Sequence, residues 1–480
     1  MINDDRPQRL PKTSASIRKN RSYLRPAKSL AVAALLGALL AGLVAADFLA
    51  GRMKAFVFPA AGGPTALFDG LSKEEMELLL EDAAPSTLKN LKDDPQFRRE
   101  QIENLRQLFA LANQAVREGF ADEETTAKAL AIVETVVRAQ AYDKRLDPAG
   151  PPFARITDKQ IRDFFGDGGS PNDSQKRRLA EFDDYFKVQL AMARRNKTIS
   201  DESEPSAEEK AQMRTEFARI RISESEARAQ IEAGALPEKF VKKIALQIKL
   251  QKAQFLSRLY STEALAKKTE VTADEVQGYL AAHPEIDRRA AQKAQALKVL
   301  ARLKNGEDFA RLARDFSDDP ASRDKGGLYS GVVEGAFDAE FESAALALRP
   351  GQTAVEPVET KYGYHLVRLE RKSQFKDQDG KLKWGYDVRQ IMFSTMVEPP
   401  ASSTESALPL MEYVRKTIGE TKEKTLVDKL VADNPVTIAE DFKIPEVSDE
   451  EMNRTFTNAV IMDQKNRRSS SNANLPRKPR

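Results

Sequence analysis

Behind a basic lead, RPQRLPKTSASIRKNRSYLRPAK, the chain runs SLAVAALLGALLAGLVAADFLA from Ser29 to Ala50, 22 residues in which Asp47 is the single charge. In hydrocarbon every backbone N–H and C=O has to be satisfied within its own segment, so such a run folds as a helix, and about 20 residues suffice to span. The eight basic residues ahead of it hold residues 1–28 in the cytoplasm as a basic tail, and everything after Gly51 is then placed across the membrane. Length and the extended basic lead favour a retained single-pass anchor. A cleaved secretory signal ending near Val44-Ala45-Ala46 and a buried core helix are the competing readings. Ala33, Gly37 and Ala41 stand four apart, a spacing used by helix dimers that Ala-rich spans also produce by chance.

The 480 residues, 41% of them hydrophobic, hold material for two or three cores. Lys and Arg (76) nearly balance Asp and Glu (73), so a net charge of +3 gives no reason to expect nucleic acid as partner. Without cysteine there are no disulfides, thiolate nucleophiles or zinc–thiolate sites, and two separated histidines argue against a His-rich metal site. Counting leaves a carboxylate-only cation site open, but no EF-hand spacing is present. No cofactor and no metal are expected.

Residues 71–284 read as a helical domain. SKEEMELLLED opens it with a Ser72/Glu75 capping box, and PQFRREQIENLRQLFALANQAVREGF sets Phe97, Ile102, Leu105, Leu108 and Phe109 on one stripe. Pro, Gly and Ser at LDPAGPPF, GDGGSPND and ISDESEPSA mark connections. In PEKFVKKIALQIKLQKAQFLSRLYSTEALAKK the apolar residues form one face and Lys the other, a face read as solvated in preference to membrane-facing. ITDKQIRDFF and VTADEVQGYLAAHPEI share a Thr N-cap with Gln or Glu three residues on, and His283 at the end of the second reads as a cap or surface residue.

From Ala290 the ordered string LKNGEDF, FSDDP, Gly326-Gly327, GAFDAEFESAALAL, PGQ and TKYGYHLVRLE resembles the parvulin (PpiC-type) peptidyl-prolyl isomerases over about 80 residues. The layout of anchor, helical domain and parvulin unit is similar to exported foldases of the SurA, PrsA and PpiD kind. The fold implied is α+β: a transmembrane helix, a helical SurA-like chaperone domain, and a parvulin-like domain (286–396) with a small antiparallel sheet flanked by helices. A C-terminal helix and extension (405–447), which in SurA-like chains returns to the first domain, and a disordered basic tail (464–480) complete it.

In the family a first strand ahead of the first helix carries one site histidine. Here EVQGYLAAHPEIDRRAAQKAQALKVLARLK passes from helix to helix without one, and a sheet missing a central strand would leave backbone groups unpaired. WGYDVRQIMFST, Trp384 to Thr395, has the β-rich character of the missing strand. With Asp379-Gly380 as a turn it can fold back antiparallel on the His365 strand, a local permutation that supplies the first strand from the C-terminal side. Alternation then sets His365, Val367 and Leu369 on one face and Val388, Gln390 and Met392 on the facing one, with Gln390 across from His365.

The resemblance implies a catalytic set of Asp319, His365, Gln390 and Thr360, and a proline-binding set of Tyr329, Phe337 and Phe341, with Phe341 equally readable as core. Gln390 stands where the family has His, Tyr329 where it has Leu, Phe337 where it has Met and Ser330 where it has Gly. Glutamine hydrogen-bonds but does not titrate, so reduced isomerase activity is expected. The partners implied are the membrane and unfolded or nascent exported polypeptides with X-Pro bonds, outside the cytoplasmic membrane. The alternative is a non-catalytic chaperone or scaffold whose parvulin domain only binds peptides. A hydrolase is set aside because no G-x-S-x-G motif is present.

Overall fold

The computed structural model describes residues 67–167, 169–376, 382–399 and 406–448. The membrane-length run at Ser29–Ala50, the basic residues around it, the Asp379-Gly380 turn and the 464–480 tail lie outside the described residues. Among the described residues no helix is long and apolar enough to cross a membrane. They form two compact units: one takes the residues up to Ala264 together with those from Val427 on, and the other is Leu265–Leu426.

In the first unit a short strand β1 (Gly70–Leu71) leads into α1 (Lys73–Leu80), α2 (Pro85–Asp93), α3 (Pro95–Arg117), α4 (Glu124–Leu146), α5 (Asp158–Phe165), α6 (Asp173–Arg195), α7 (Ala207–Glu232) and α8 (Glu238–Tyr260). The Ser72/Glu75 box is formed: Glu75 N–H donates to Ser72 Oγ (3.1 Å) and Ser72 N–H to Glu75 Oε2 (2.8 Å). Thr157/Gln160 and Thr272/Glu275 form the same box, which is what the two look-alike segments share. Phe165, Phe182, Tyr185 and Phe217 build an aromatic centre, with ring centroids 5.2–6.2 Å apart where they touch. The lysine face of α8 is partly exposed and ion-paired, with 46% of the Lys242 side chain and 21% of the Lys249 side chain exposed. Lys242, Lys243, Lys249 and Lys252 pair with Glu74, Asp82, Glu75 and Glu134 at 2.6–3.1 Å, because α1, its following turn and α4 bring acids against them.

The chain returns to this unit late. Strand β6 (Thr437–Ile438) runs parallel to β1, pairing Gly70 with Thr437 and Leu71 with Ile438. Gly70 has φ +114°, and a Cβ there would lie 1.9 Å from the Thr437 carbonyl oxygen, so only glycine permits the approach. Phe442 is buried beneath the Arg98 guanidinium, 4.4 Å from its ring centroid.

The second unit holds α9 (Ala273–Ala282), α10 (Arg289–Lys304), α11 (Phe309–Phe316), β2 (Leu328–Val333), α12 (Ala339–Ala347), β3 (Val358–Thr360), β4 (Gly363–Lys376), β5 (Leu382–Ser394) and the first part of α13 (Leu410–Asp433). Its sheet is antiparallel in the order β2-β5-β4-β3, so β5, last in sequence, is central. Both faces of the β4–β5 pair are buried. Tyr364, Leu366, Ile391 and Phe393 pack on Val299, Leu300 and Leu312 of α10 and α11. Val367, Leu369, Tyr386 and Val388 pack under Phe341 and Ala345 of α12. Leu410 and Val414 of α13 close on Val276 of α9, and Lys422 Nζ reaches Glu275 at 2.7 Å.

Candidate functional site

Strand alternation places His365 and Gln390 on the α12 face of the sheet, both buried, at 5% and 4% exposure. Their pairing differs from the expected one. Met392 lies opposite His365, and Gln390 lies opposite Val367, so the two polar side chains meet on the diagonal. The register follows the apolar pairs Leu366↔Ile391 and Leu369↔Val388, whose burial outweighs one polar contact. The diagonal still brings His365 Nδ1 to 2.8 Å from Gln390 Oε1.

The loop after α11 delivers the carboxylate. Asp319 is 7% exposed, and its Oδ2 accepts from Gln390 Nε2 and Tyr329 Oη, each at 2.8 Å, and from Ser322 Oγ, while Oδ1 accepts the Ala321 N–H at 3.1 Å. β5 holds this loop directly. Asp318 N–H donates to the Met392 carbonyl (2.8 Å), Met392 N–H to Ser317 Oγ (3.1 Å) and Ser394 N–H to Asp318 Oδ2 (2.8 Å). On the other side of Gln390, its N–H donates to the Gly327 carbonyl (2.9 Å). Gly327 has φ +79°, and a Cβ there would lie 2.2 Å from the Gln390 carbonyl oxygen, which is why the Gly-Gly pair sits beside this strand.

Thr360, at the end of β3, accepts the Tyr362 N–H on Oγ1 (3.2 Å) and meets His365 Nε2 at 2.8 Å. The four residues expected to act together thus form one file, Thr360–His365–Gln390–Asp319, and Tyr329 joins it through its hydroxyl. The aromatics run alongside: Tyr329 to Phe337 at 5.1 Å, Phe337 to Phe341 at 4.8 Å and Phe341 to the His365 ring at 5.4 Å. Phe341 is only 2% exposed and backs this row as core, whereas Tyr329, Phe337 and Met392 are half-buried and offer it a surface. His283 is half-buried at the C-cap of α9, its ring 4.4 Å from that of Tyr279, and lies outside this file. Ser317 and Ser322 are buried members of the site that pattern reading missed. The one trace of Ser322 in the sequence is its place three residues after Asp319, where a hydroxyl can reach back to the carboxylate. Among the described residues no cluster of His, Asp or Glu is arranged to hold a metal ion.

Burial pushes the His365 imidazole below its ordinary range, opposed by the Gln390 hydrogen bond and by the charges of Asp319 and Asp338, so the ring is neutral at pH 7. Burial, then the bond to Asp319, pushes the Tyr329 hydroxyl up, and it stays a donor. Below about pH 6.5 the unfolded chain takes up a proton that folded His365 refuses, so this residue's contribution is complete above that pH and declines toward its lowered folded value, by at most about 1.4 kcal/mol per pH unit. Urea midpoints at pH 7.5 and 5.5 should fall further apart in the wild-type chain than in His365→Asn.

Residues 279–371 match the family model described as "Rotamase: PPIC-type PPIASE domain". "Foldase protein PrsA 3" of Bacillus anthracis is 43% identical over 84 residues, 18% of this chain and 29% of that protein. "Foldase protein PrsA" of Clostridium kluyveri is 32% identical over 144 residues (26% and 42%). The chain therefore spans less than half the length of these two relatives. The crystal structure of the Bacillus cereus peptidylprolyl isomerase PrsA aligns over 61% of this chain and 95% of that one, at 20% identity and a TM-score of 0.17. The family-model match ends at Arg371 and leaves β5 outside it. Residues 279–371 are thus similar in sequence to the PpiC-type, or parvulin, rotamase domain.

Proposed function

We propose that the second unit catalyses cis–trans isomerisation of X-Pro bonds in unfolded polypeptides exported across the cytoplasmic membrane, to which the Ser29–Ala50 run anchors the chain in a single pass. The supporting observation is the unbroken file from Thr360 to Asp319 beside the Tyr329–Phe337 surface. β5 stands in for the family's first strand, and Gln390 for its histidine.

Rotation about X-Pro faces a barrier of about 20 kcal/mol because the planar imide is stabilised by resonance that puts negative charge on its carbonyl oxygen. A carboxylate facing that oxygen disfavours the planar form relative to the twisted one, which has lost the resonance. In this reading Asp319 supplies that carboxylate, while Phe337, Tyr329 and Met392 hold the proline ring and exclude water. No bond is broken and no nucleophile is needed. The helical unit grips the rest of the client.

An assay of proline-peptide isomerisation on the full chain tests this, since the uncatalysed reaction takes tens to hundreds of seconds at 25 °C. The relaxation should shorten in proportion to protein concentration. Suppressed aggregation of an unfolded client with no change in that relaxation would instead assign the chain to the chaperone or scaffold reading.

A further inference from the structure

The hydrogens of the site can be placed by elimination. A carboxylate oxygen only accepts, so the Gln390 atom 2.8 Å from Asp319 Oδ2 is the amide nitrogen, and the carbonyl Oε1 is the atom turned to His365. An amide oxygen also only accepts, so His365 carries its hydrogen on Nδ1. A neutral imidazole then has a lone pair on Nε2, and the contact there must come from a donor. Thr360 Oγ1 already accepts the Tyr362 N–H, and its own hydrogen is available for His365 Nε2, 2.8 Å away. All donations run one way, from Thr360 through His365 and Gln390 into Asp319.

We propose that Gln390 is a positioning residue that locks His365 in the Nδ1–H tautomer, and that both ring nitrogens are thereby committed within the file, so His365 neither gives a proton to the substrate nor takes one. A histidine at position 390 would lack this property, because an imidazole can present either a donor or an acceptor to each neighbour. An amide of fixed polarity has one arrangement only. The groups facing His365 agree with this wiring. β3 supplies Thr360, β5 supplies Gln390 and Met392, and α12 supplies the Phe341 ring. The charges within reach are Asp319 beyond Gln390 and Asp338 at the start of α12, which Lys361 approaches at 3.5 Å. The reading of Asp319 Oδ2 as an acceptor underlies both this inference and the isomerase proposal, but the tautomer can be observed without any turnover.

The chain has two histidines, which makes the experiment simple. Full-length protein labelled with 15N-histidine is examined by two-bond 1H–15N correlation at pH 7.5, with His283→Gln identifying the resonances of His365. The Nδ1–H pattern is expected in the wild type. Gln390→Met, unbranched and of similar length, should lose it in favour of the Nε2–H form that free side chains prefer. Gln390→Glu keeps an acceptor oxygen against Nδ1 and shares a proton with Asp319 on its other oxygen, so the Nδ1–H pattern should persist there, which a general loss of packing would not give. An Nε2–H wild type, or an Nδ1–H pattern retained in Gln390→Met, overturns the inference. If the wild type shows Nδ1–H while peptide isomerisation is not accelerated, the wiring stands and the isomerase reading fails.

Discussion

A chain ended after Pro400 is expected to lose the cooperative fold of its helical unit, although every helix from α1 to α8 is still encoded. The missing residues include Val427, Leu430, Ile438 and Phe442, all buried in the first unit at 4–6% exposure. At roughly 1.5–3 kcal/mol for each large apolar side chain, their loss removes about 8 kcal/mol, comparable to the whole stability of a typical domain. Backbone pairing goes with them. β1 loses β6, leaving Thr437's partner Gly70 with a left-handed geometry that no longer serves any approach. Far-UV circular dichroism during a thermal melt would show it: a cooperative helical transition in the full chain and a broad, early loss of helicity in the shortened one. Equal melting of the two would mean the returning segment is an ornament.

Much of the second unit was legible because period-2 patterning tells which side chains share a face. It puts His365, Val367 and Leu369 on one face of their strand and Val388, Gln390 and Met392 on one face of theirs, and the β4–β5 pairing brings the two sets to the same side of the sheet. Facing partners were not legible. Alternation is blind to a shift of two residues, which keeps every side chain on its face, and the pairing of His365 with Met392 is set by buried apolar neighbours distributed along both strands. The serines at 317 and 322 carry no periodic signal, being small polar residues in a loop whose roles depend on where β5 lies. A two-residue strand such as β6 is likewise invisible to pattern, and its partner is 367 positions away in sequence at Gly70 and Thr437. The lysines of α8 look like a solvated stripe within their own helix, and only tertiary packing discloses the acids opposite them.

Asp319→Ala should have the largest effect on catalysis. It deletes the single acceptor on which Ser322, Tyr329 and Gln390 converge, leaving three donors in or beside a buried site without their partner. Each such loss costs about 1–3 kcal/mol if nothing replaces it, so some destabilisation accompanies the change, and the variant has to be assayed well below its melting temperature. The electrostatic term goes with the carboxylate, and deleting one preorganised group of this kind typically lowers the rate by about a hundredfold or more. Gln390→His is the informative companion. It keeps a side chain able to donate to Asp319 and to meet His365, so its rate should stay within about tenfold of the wild type, while Asp319→Ala approaches the uncatalysed rate.

The most direct measurement is the catalysed relaxation of a cis-proline peptide by the full chain and by its folded Asp319→Ala form, side by side at equal concentration. Acceleration by the first and its near-abolition in the second is the predicted outcome. Equal acceleration by both would contradict the assignment of Asp319, and with it the claim that a strand arriving from downstream completes the working site.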